Sequence, residues 1–508
     1  MTNVATVMEL VGAGDNDATA LSAPGGVPFS YQQLRALVVD TMAAFNAHGI
    51  GRNDRVAIVL DNGPHMASSF LAVAAGATAA PLNPGYRAEE FEFYLTDLRA
   101  GLLIIEAGKL SPAVDVATKL GIPVARLITS PARGAGAFTL EFPPGPSAPA
   151  RQPGPAAPDD IALVLHTSGT TSRPKIVPLT QANICASAHN VRTSLALSAT
   201  DRALNIMPLF HIHGLIAGVM APLSIGGAVS CTPGFNALKF FGWMSETRPT
   251  WYTAVPTMHQ AILLRARAHE AVIRANPLRF LRSSSSAMPP QVLHELEEVF
   301  GAPVIEAYGM TEAAHQMARN PLPPGVRKPG TVGMAAGPEV CILDEHGQPA
   351  GPGVTGEIAI RGPNVMSGYE GNPKANAEAF TNGWFRTGDQ GVMDDAGYVS
   401  ITGRLKEIIN RGGEKISPRE VDEVLMDHPA VLQCVTFAVP HDKLGEEVGV
   451  VVVLRDGAEA TADELREFAA RRLADFKVPK KVVFRPEIPK GATGKLQRIG
   501  LAQKLGLA

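Results

Sequence analysis

The period of the hydrophobic pattern changes twice along this chain, and each change limits what the surrounding residues can fold into. Up to about residue 330, short apolar runs alternate with helical stretches. Ser30, with Gln33 three residues on, reads as a capping box opening an apolar-periodic helix that Gly49 would close. VAIVL at 56–60 reads as a buried strand, a helix follows over roughly 64–76, and AAPLNP at 79–84 is a short strand entering a turn. Such β/α alternation predicts layered α/β structure with mostly parallel sheets. From 331 to 403 the runs become short alternating strands, VCILD at 340–344 and GEIAIRG at 356–362, punctuated by Gly and Pro as in a small β-barrel or meander. After Gly403 helices return. Ser417/Glu420, with Pro418 in the first turn, and Thr461/Glu464 read as capping boxes set among strand runs at 432–439 and 449–454.

At 508 residues the chain is too long for one core. We therefore expect an α/β protein in two domains. Residues 1–403 would form a large N-terminal domain of layered α/β subdomains plus a β-barrel-like subdomain, and 404–508 a small, mobile α+β domain. The stretch FPPGPSAPARQPGPAAP at 142–158 can be only linker or surface loop.

Composition removes several function classes. A formal charge of −3 gives no reason to expect nucleic acid or an anionic membrane as partner. Cys185, Cys231, Cys341 and Cys434 are scattered, with no C-x-x-C pair, which fits a reducing, cytoplasmic setting. The N-terminal residues lack a basic segment and meet acids early, unlike a signal peptide. Residues 214–231 carry no charge and are nominally long enough to span a bilayer, but Pro222 and Gly226-Gly227 interrupt them. A buried helix followed by a strand is the better reading.

The strongest local signal for chemistry is the loop Thr167-Ser168-Gly169-Thr170-Thr171-Ser172-Arg173-Pro174-Lys175, between a strand run at 161–166 and the strand-like IVPL. Small and hydroxyl side chains let backbone N–H groups approach phosphate oxygens, and the basic residues add charge. It is not a Walker A loop, because Lys175 follows Pro174 and is followed by no Ser or Thr. Taken alone, such a loop is as readily a polar surface turn.

Five later segments change that weighing: Pro208 to Gly214 (PLFHIHG), Tyr308 to Glu312 (YGMTE), Thr387-Gly388-Asp389, Gly403 to Glu407 (GRLKE) and Gly491 to Lys495 (GATGK). In order and spacing they resemble the acyl-adenylate-forming enzymes, the superfamily of acyl-CoA synthetases, luciferases and nonribosomal adenylation domains, over nearly the whole chain. The resemblance implies ATP, Mg²⁺ and CoA as cofactors. It implies that Thr167, Ser168, Gly169, Thr170, Thr171 and Lys175 cradle phosphate, and that Ser285, Ser286, Ala307, Tyr308 and Gly309 line the nucleotide site, with Tyr308 on adenine. Thr311 and Glu312 would serve nucleotide and magnesium, a carboxylate being a hard oxygen ligand. Asp389 would accept the ribose hydroxyls and Arg404 donate to the same ribose. Lys495 would bridge substrate carboxylate and α-phosphate, Lys406 would be the hinge, and Gly412-Gly413 would let the backbone pass close to the pantetheine arm. His211 would stand at the entrance to the acid pocket; it and His213 are only two residues apart and lack an acid nearby, so zinc is not indicated.

The acid pocket is where the chain departs from most relatives. Ser283-Ser284-Ser285-Ser286-Ala287 occupies a stretch usually rich in Gly and Ala, and with His211, His213 and His315 it makes the pocket polar. A fatty tail would leave those groups unpaired, at about 1–3 kcal/mol each. A short polar acid would satisfy them. The run 306–317 (EAYGMTEAAHQM) with Asn320-Pro321-Leu322-Pro323 resembles the oxalate–CoA ligase branch, which implies oxalate as substrate. Malonate, short or medium-chain fatty acids and aryl acids stay open, as does a nucleotide-binding member without catalysis. Ser172 and Ile176 stand where relatives often have glycine.

Overall fold

A computed structural model describes residues 4–144, 148–167, 174–489 and 496–507. Ser168, Gly169, Thr170 and Thr171 of the phosphate-loop candidate, and Lys495 with its flanking glycines, lie outside the described residues. The chain divides into two compact units: one holds Met1–Thr167, Lys175–Val340 and Arg361–Glu378, and the other chiefly Cys341–Ile360 and the residues from Ala379 onward.

In the first unit the expected alternation becomes two large sheets. One runs Phe138–Glu141, Val124–Thr129, Leu102–Glu106, Arg55–Val59, Thr78–Pro81, Ile161–His166, Ile176–Thr180, parallel at its centre and antiparallel at both edges. The other has a parallel centre of Val304–Met310, Phe280–Ser283, Trp251–Ala254, Arg202–Asn205 and Ala228–Cys231, extended antiparallel by His315–Arg319. Sequence decides the local choices. Ser30 and Thr180 each cap a helix and close reciprocal bonds with Gln33 and Asn183. The Pro-rich 142–158 stretch, where described, is docked surface: Gln152 accepts from the Arg52 N–H at 2.9 Å, and His48 stacks on Phe142. The uncharged run is helical then extended, as expected, but His213–Met220 winds as a π-helix before Ala221–Leu223. No helix among the described residues is long and apolar enough to cross a membrane.

The strand Phe280–Ser283 sets up the site. Its side chains alternate between faces. Leu281 enters an apolar core with Leu204, Tyr252, Met288 and Leu296. Arg282 points to the other face, in register with Thr253 on the neighbouring strand, and is completely buried.

In the second unit one sheet pairs Thr355–Arg361, Trp384–Met393 and Val399–Arg404, and another pairs Ile409–Arg411, Glu414–Ile416, Val431–His441, Gly445–Leu454 and Lys481–Phe484. Thr461 and Glu464 form the expected capping box. Ser417 does not. Its hydroxyl donates to the Thr402 carbonyl, and Glu420 pairs with Lys477 instead of reaching back to the cap. A nearby carbonyl and ammonium outcompete the local motif.

Candidate functional site

Three groups of predicted residues can be placed. The first lies at the end of the strand Val304–Met310. Gly309 is required there, because a Cβ would sit 1.8 Å from the His315 carbonyl as the next strand folds back. Thr311–Ala313 form one 3₁₀ turn, tied down by Asn364, which donates to the Ala313 carbonyl at 2.8 Å. Glu312 is thereby buried with its Oε1 accepting from the Tyr369 hydroxyl at 2.8 Å, and the Lys175 ammonium lies 3.8 Å over the Tyr369 ring. Burial, then the neighbouring Glu312 carboxylate, pushes the Tyr369 hydroxyl well above its ordinary pKa, so it stays a donor. Thr167 and Lys175 close the base of the loop: the Thr167 N–H donates to the Lys175 carbonyl at 2.9 Å, and the Lys175 N–H to Thr167 Oγ1 at 3.0 Å. Tyr308 and Ala307 are buried beside this turn.

Among the described residues no group of three or more His, Cys, Asp and Glu side chains is placed to hold a metal ion. Glu312 offers a single hard oxygen ligand. That donor set suits Mg²⁺, which takes the rest of its shell from phosphates and water, and does not suit zinc.

The second group is polar and buried. His213, on the π-helix, hydrogen-bonds through Nδ1 to Ser285 Oγ at 3.0 Å and through Nε2 to Thr253 Oγ1 at 2.6 Å. His315 stacks on it, ring centroids 4.8 Å apart. Arg282 bridges the two rings, donating to both imidazoles and to Gln316. Ser284 donates to the Ala307 carbonyl at 3.0 Å, Ser285 is half-buried, and Ser286 is exposed. Ser285 at φ 72° and His315 at φ 109° sit in left-handed backbone, which costs a residue with a Cβ about 1–3 kcal/mol and is tolerated mainly where function uses it. His211 is half-buried against the Phe210 ring just before the π-helix.

The third group is in the second unit. Asp389 and Arg404 face each other across paired strands, Arg404 Nε donating to Asp389 Oδ1 at 3.0 Å. The Asp is buried and the Arg side chain 56% exposed. Lys406 is exposed in the turn that follows, and Gly412 (φ 60°) and Gly413 (φ 102°) adopt the left-handed backbone their type allows.

Sequence reasoning passed over Arg282, Thr253, Gln316 and Tyr369. A charged residue within an apolar strand run was a usable signal for the first; nothing local announced the others.

The fold is layered α/β, and comparison with known proteins makes the chain a nucleotide-handling enzyme. The chain belongs to the AMP-binding enzyme family: residues 9–370 match that family's model and 420–495 match the AMP-binding enzyme C-terminal domain. It is 46% identical to an oxalate–CoA ligase of Arabidopsis thaliana over 494 residues, 96% of this chain and 95% of that one. It is also 46% identical to a probable CoA ligase of Humulus lupulus, covering 95% of this chain and 93% of the other. Among solved structures, ATP-bound MatB from Rhodopseudomonas palustris superposes with a TM-score of 0.87 at 28% identity, covering 98% of both chains.

Proposed function

We propose that this protein is an ATP-dependent acid–CoA ligase acting on oxalate. The observation that carries the reading is the buried polar cluster His213–Arg282–His315 with Ser285, which suits a small, doubly charged acid and would leave polar groups unpaired against a fatty or aryl tail. Identity to an oxalate–CoA ligase over most of both chains supports it.

In the first half-reaction a carboxylate oxygen of the acid attacks the α-phosphorus of ATP, the bond to the leaving pyrophosphate breaks, and acyl-AMP forms. Mg²⁺, when bound, would neutralise phosphate charge, with Glu312 as its protein ligand. Lys175 and the loop from Thr167 through Thr171 hold phosphate, Tyr308 stacks on adenine beside Gly309, and Asp389 with Arg404 takes the ribose. Lys495 stabilises the charge developing between carboxylate and phosphorus. In the second half-reaction the CoA sulfur attacks the acyl carbonyl and AMP leaves, the thiol proton passing to solvent. Lys406 is the pivot between the two steps, so the functional boundary falls near 404, and Gly412-Gly413 flank the path of the CoA arm. The sulfur is that of CoA, the thiol substrate of the second half-reaction; the thiols of Cys231 and Cys434 are buried, which pushes the first up to about 12 and the second well above the ordinary range. Four cysteines without a disulfide suit a reducing, cytoplasmic setting.

A coupled pyrophosphate assay across oxalate, malonate, acetate, hexanoate and coumarate tests the substrate. Oxalate is expected to give the highest kcat/KM; preference for hexanoate or coumarate overturns the reading, and release of ADP overturns the reaction class. Lys495→Ala is expected to abolish adenylation while sparing thioester formation from supplied acyl-AMP.

A further inference from the structure

Arg282 is the one large cation in the polar cluster, and the company it keeps is unusual. Its side chain is wholly buried, yet its hydrogen-bond partners are His213 Nε2 (3.2 Å), Thr253 Oγ1 (3.3 Å), His315 Nε2 (3.0 Å) and Gln316 Oε1 (3.2 Å). None is a carboxylate. A guanidinium only donates, so every atom it touches must accept. Both imidazoles must therefore be bare at Nε2 and carry their proton on Nδ1. A second proton on either ring would face the guanidinium. The order propagates outward: Nδ1–H of His213 donates to Ser285 Oγ, which leaves the Ser285 hydroxyl proton to point at another acceptor.

We propose that Arg282 is a positioning residue that holds His213 and His315 as neutral, Nδ1-protonated imidazoles and leaves the pocket with an uncompensated positive charge, so that it selects an acid with a second anionic group. The inference rests on the substrate reading above for its ligand. Burial draws the Arg282 pKa down to about 9, the expected response of a cation with no acid beside it, and the group is still charged at neutral pH. An anion entering the pocket supplies the missing charge.

The test uses the full chain. In ¹⁵N-histidine-labelled protein without substrate, with His213→Asn and His315→Asn used for assignment, both rings are expected as Nδ1–H tautomers, and Arg282→Met is expected to lose that pattern. The same variant should raise the KM for oxalate by about 10- to 100-fold, the usual cost of a hydrogen bond involving a charge, and narrow the preference for oxalate over acetate, while the KM for ATP moves less than about twofold. Unchanged tautomers in Arg282→Met, or an unchanged KM for the preferred acid, overturns the proposal. If Arg282→Met does not fold, Arg282→Lys is read by the tautomers alone, because an ammonium keeps the charge but cannot span two rings: unchanged Nδ1–H tautomers in Arg282→Lys overturn the positioning role. Nδ1–H tautomers in a wild-type protein that ignores oxalate would remove the substrate reading and leave the positioning role; Nε2–H tautomers would remove the positioning role whatever the acid.

Discussion

Two arginines in different units, Arg282 wholly buried and Arg498 half-buried, show how partners separate chemistry from scaffolding. Arg498, in the second unit, meets Asp422 at 2.6 Å and Glu407 at 3.3 Å and donates to the Thr436 carbonyl at 2.8 Å. Burial alone would lower its pKa, but the Asp422 and Glu407 carboxylates outweigh burial and hold it above the ordinary value. Arg282 meets neutral acceptors alone, and burial wins. The first charge is spent inside the fold, and the second is left for a ligand. Glu312 follows the Arg282 pattern, held by a neutral tyrosine hydroxyl. Asp201, clamped by Arg279, follows the Arg498 pattern. Asp389 stands between them, since its partner Arg404 is exposed and can turn away.

The contrast predicts opposite balances of stability and activity. Arg498→Met strands two carboxylates and should cost about 3–4 kcal/mol, the lower part of the range for breaking a buried pair from one side, because these side chains keep some contact with water. Arg282→Met loses hydrogen bonds but also removes a lone desolvated charge, so we expect a loss below about 2 kcal/mol. Denaturant unfolding followed separately in the two units checks this. Equal losses would break the comparison.

A smaller effect should appear with pH, and in the first unit. His259 lies wholly buried behind the Arg282 strand, in contact with the Arg282 carbonyl through Nε2 at 3.2 Å and with the Tyr252 hydroxyl through Nδ1 at 3.0 Å. Burial lowers its pKa from 6.5 to about 4, partly offset by the bond to the Arg282 carbonyl. Between those values the unfolded chain binds the extra proton, so the stabilising contribution is complete above pH 6.5 and drains away as pH falls toward 4. The linkage amounts to about 3 kcal/mol over the window. Hydrogen exchange across Phe280–Ser283 should quicken as pH falls through that range, after correction for intrinsic rates, and His259→Gln should flatten the dependence. No difference between the two proteins would remove His259 as the cause.

What could be read from the sequence follows the range of the interaction. Capping boxes at Ser30 and Thr461 are local, and each formed. Ser417 has the same local signature but finds the Thr402 carbonyl fifteen residues away in sequence. An uncharged run announces burial but not the π-helical winding that sets His213, because hydrophobic content carries no information about a 3.6-residue or longer turn when every face is covered. The serine run was conspicuous and drew attention to Ser285; the residue that organises it, Arg282, stands immediately before. Its meaning appears only when Thr253, His213 and His315, from three other elements, converge on it.

The mildest substitution probes whether a neutral partner suffices for a functional charge. Tyr369 reaches Glu312 across 57 residues of sequence, and its ring carries the Lys175 ammonium on one face. Tyr369→Phe keeps that ring but deletes the donor to Glu312. The carboxylate would then be free to turn, and a lost hydrogen bond to a charged group is worth about 1.5–3 kcal/mol at most when no water replaces it. With the first turn of the loop after Gly309 still pinned by Asn364, we expect about a tenfold loss of adenylation kcat/KM, which corresponds to 1.4 kcal/mol. The KM for the acid should hardly change, because His213, Arg282 and His315 are untouched. On the proposal that Glu312 holds Mg²⁺, raising the metal concentration should recover part of the loss, since a less ordered ligand would bind it more weakly. A loss confined to the KM for the acid would place Tyr369 with the Arg282 cluster instead, and would blur the division between charges held by opposite charges and charges held by neutral donors.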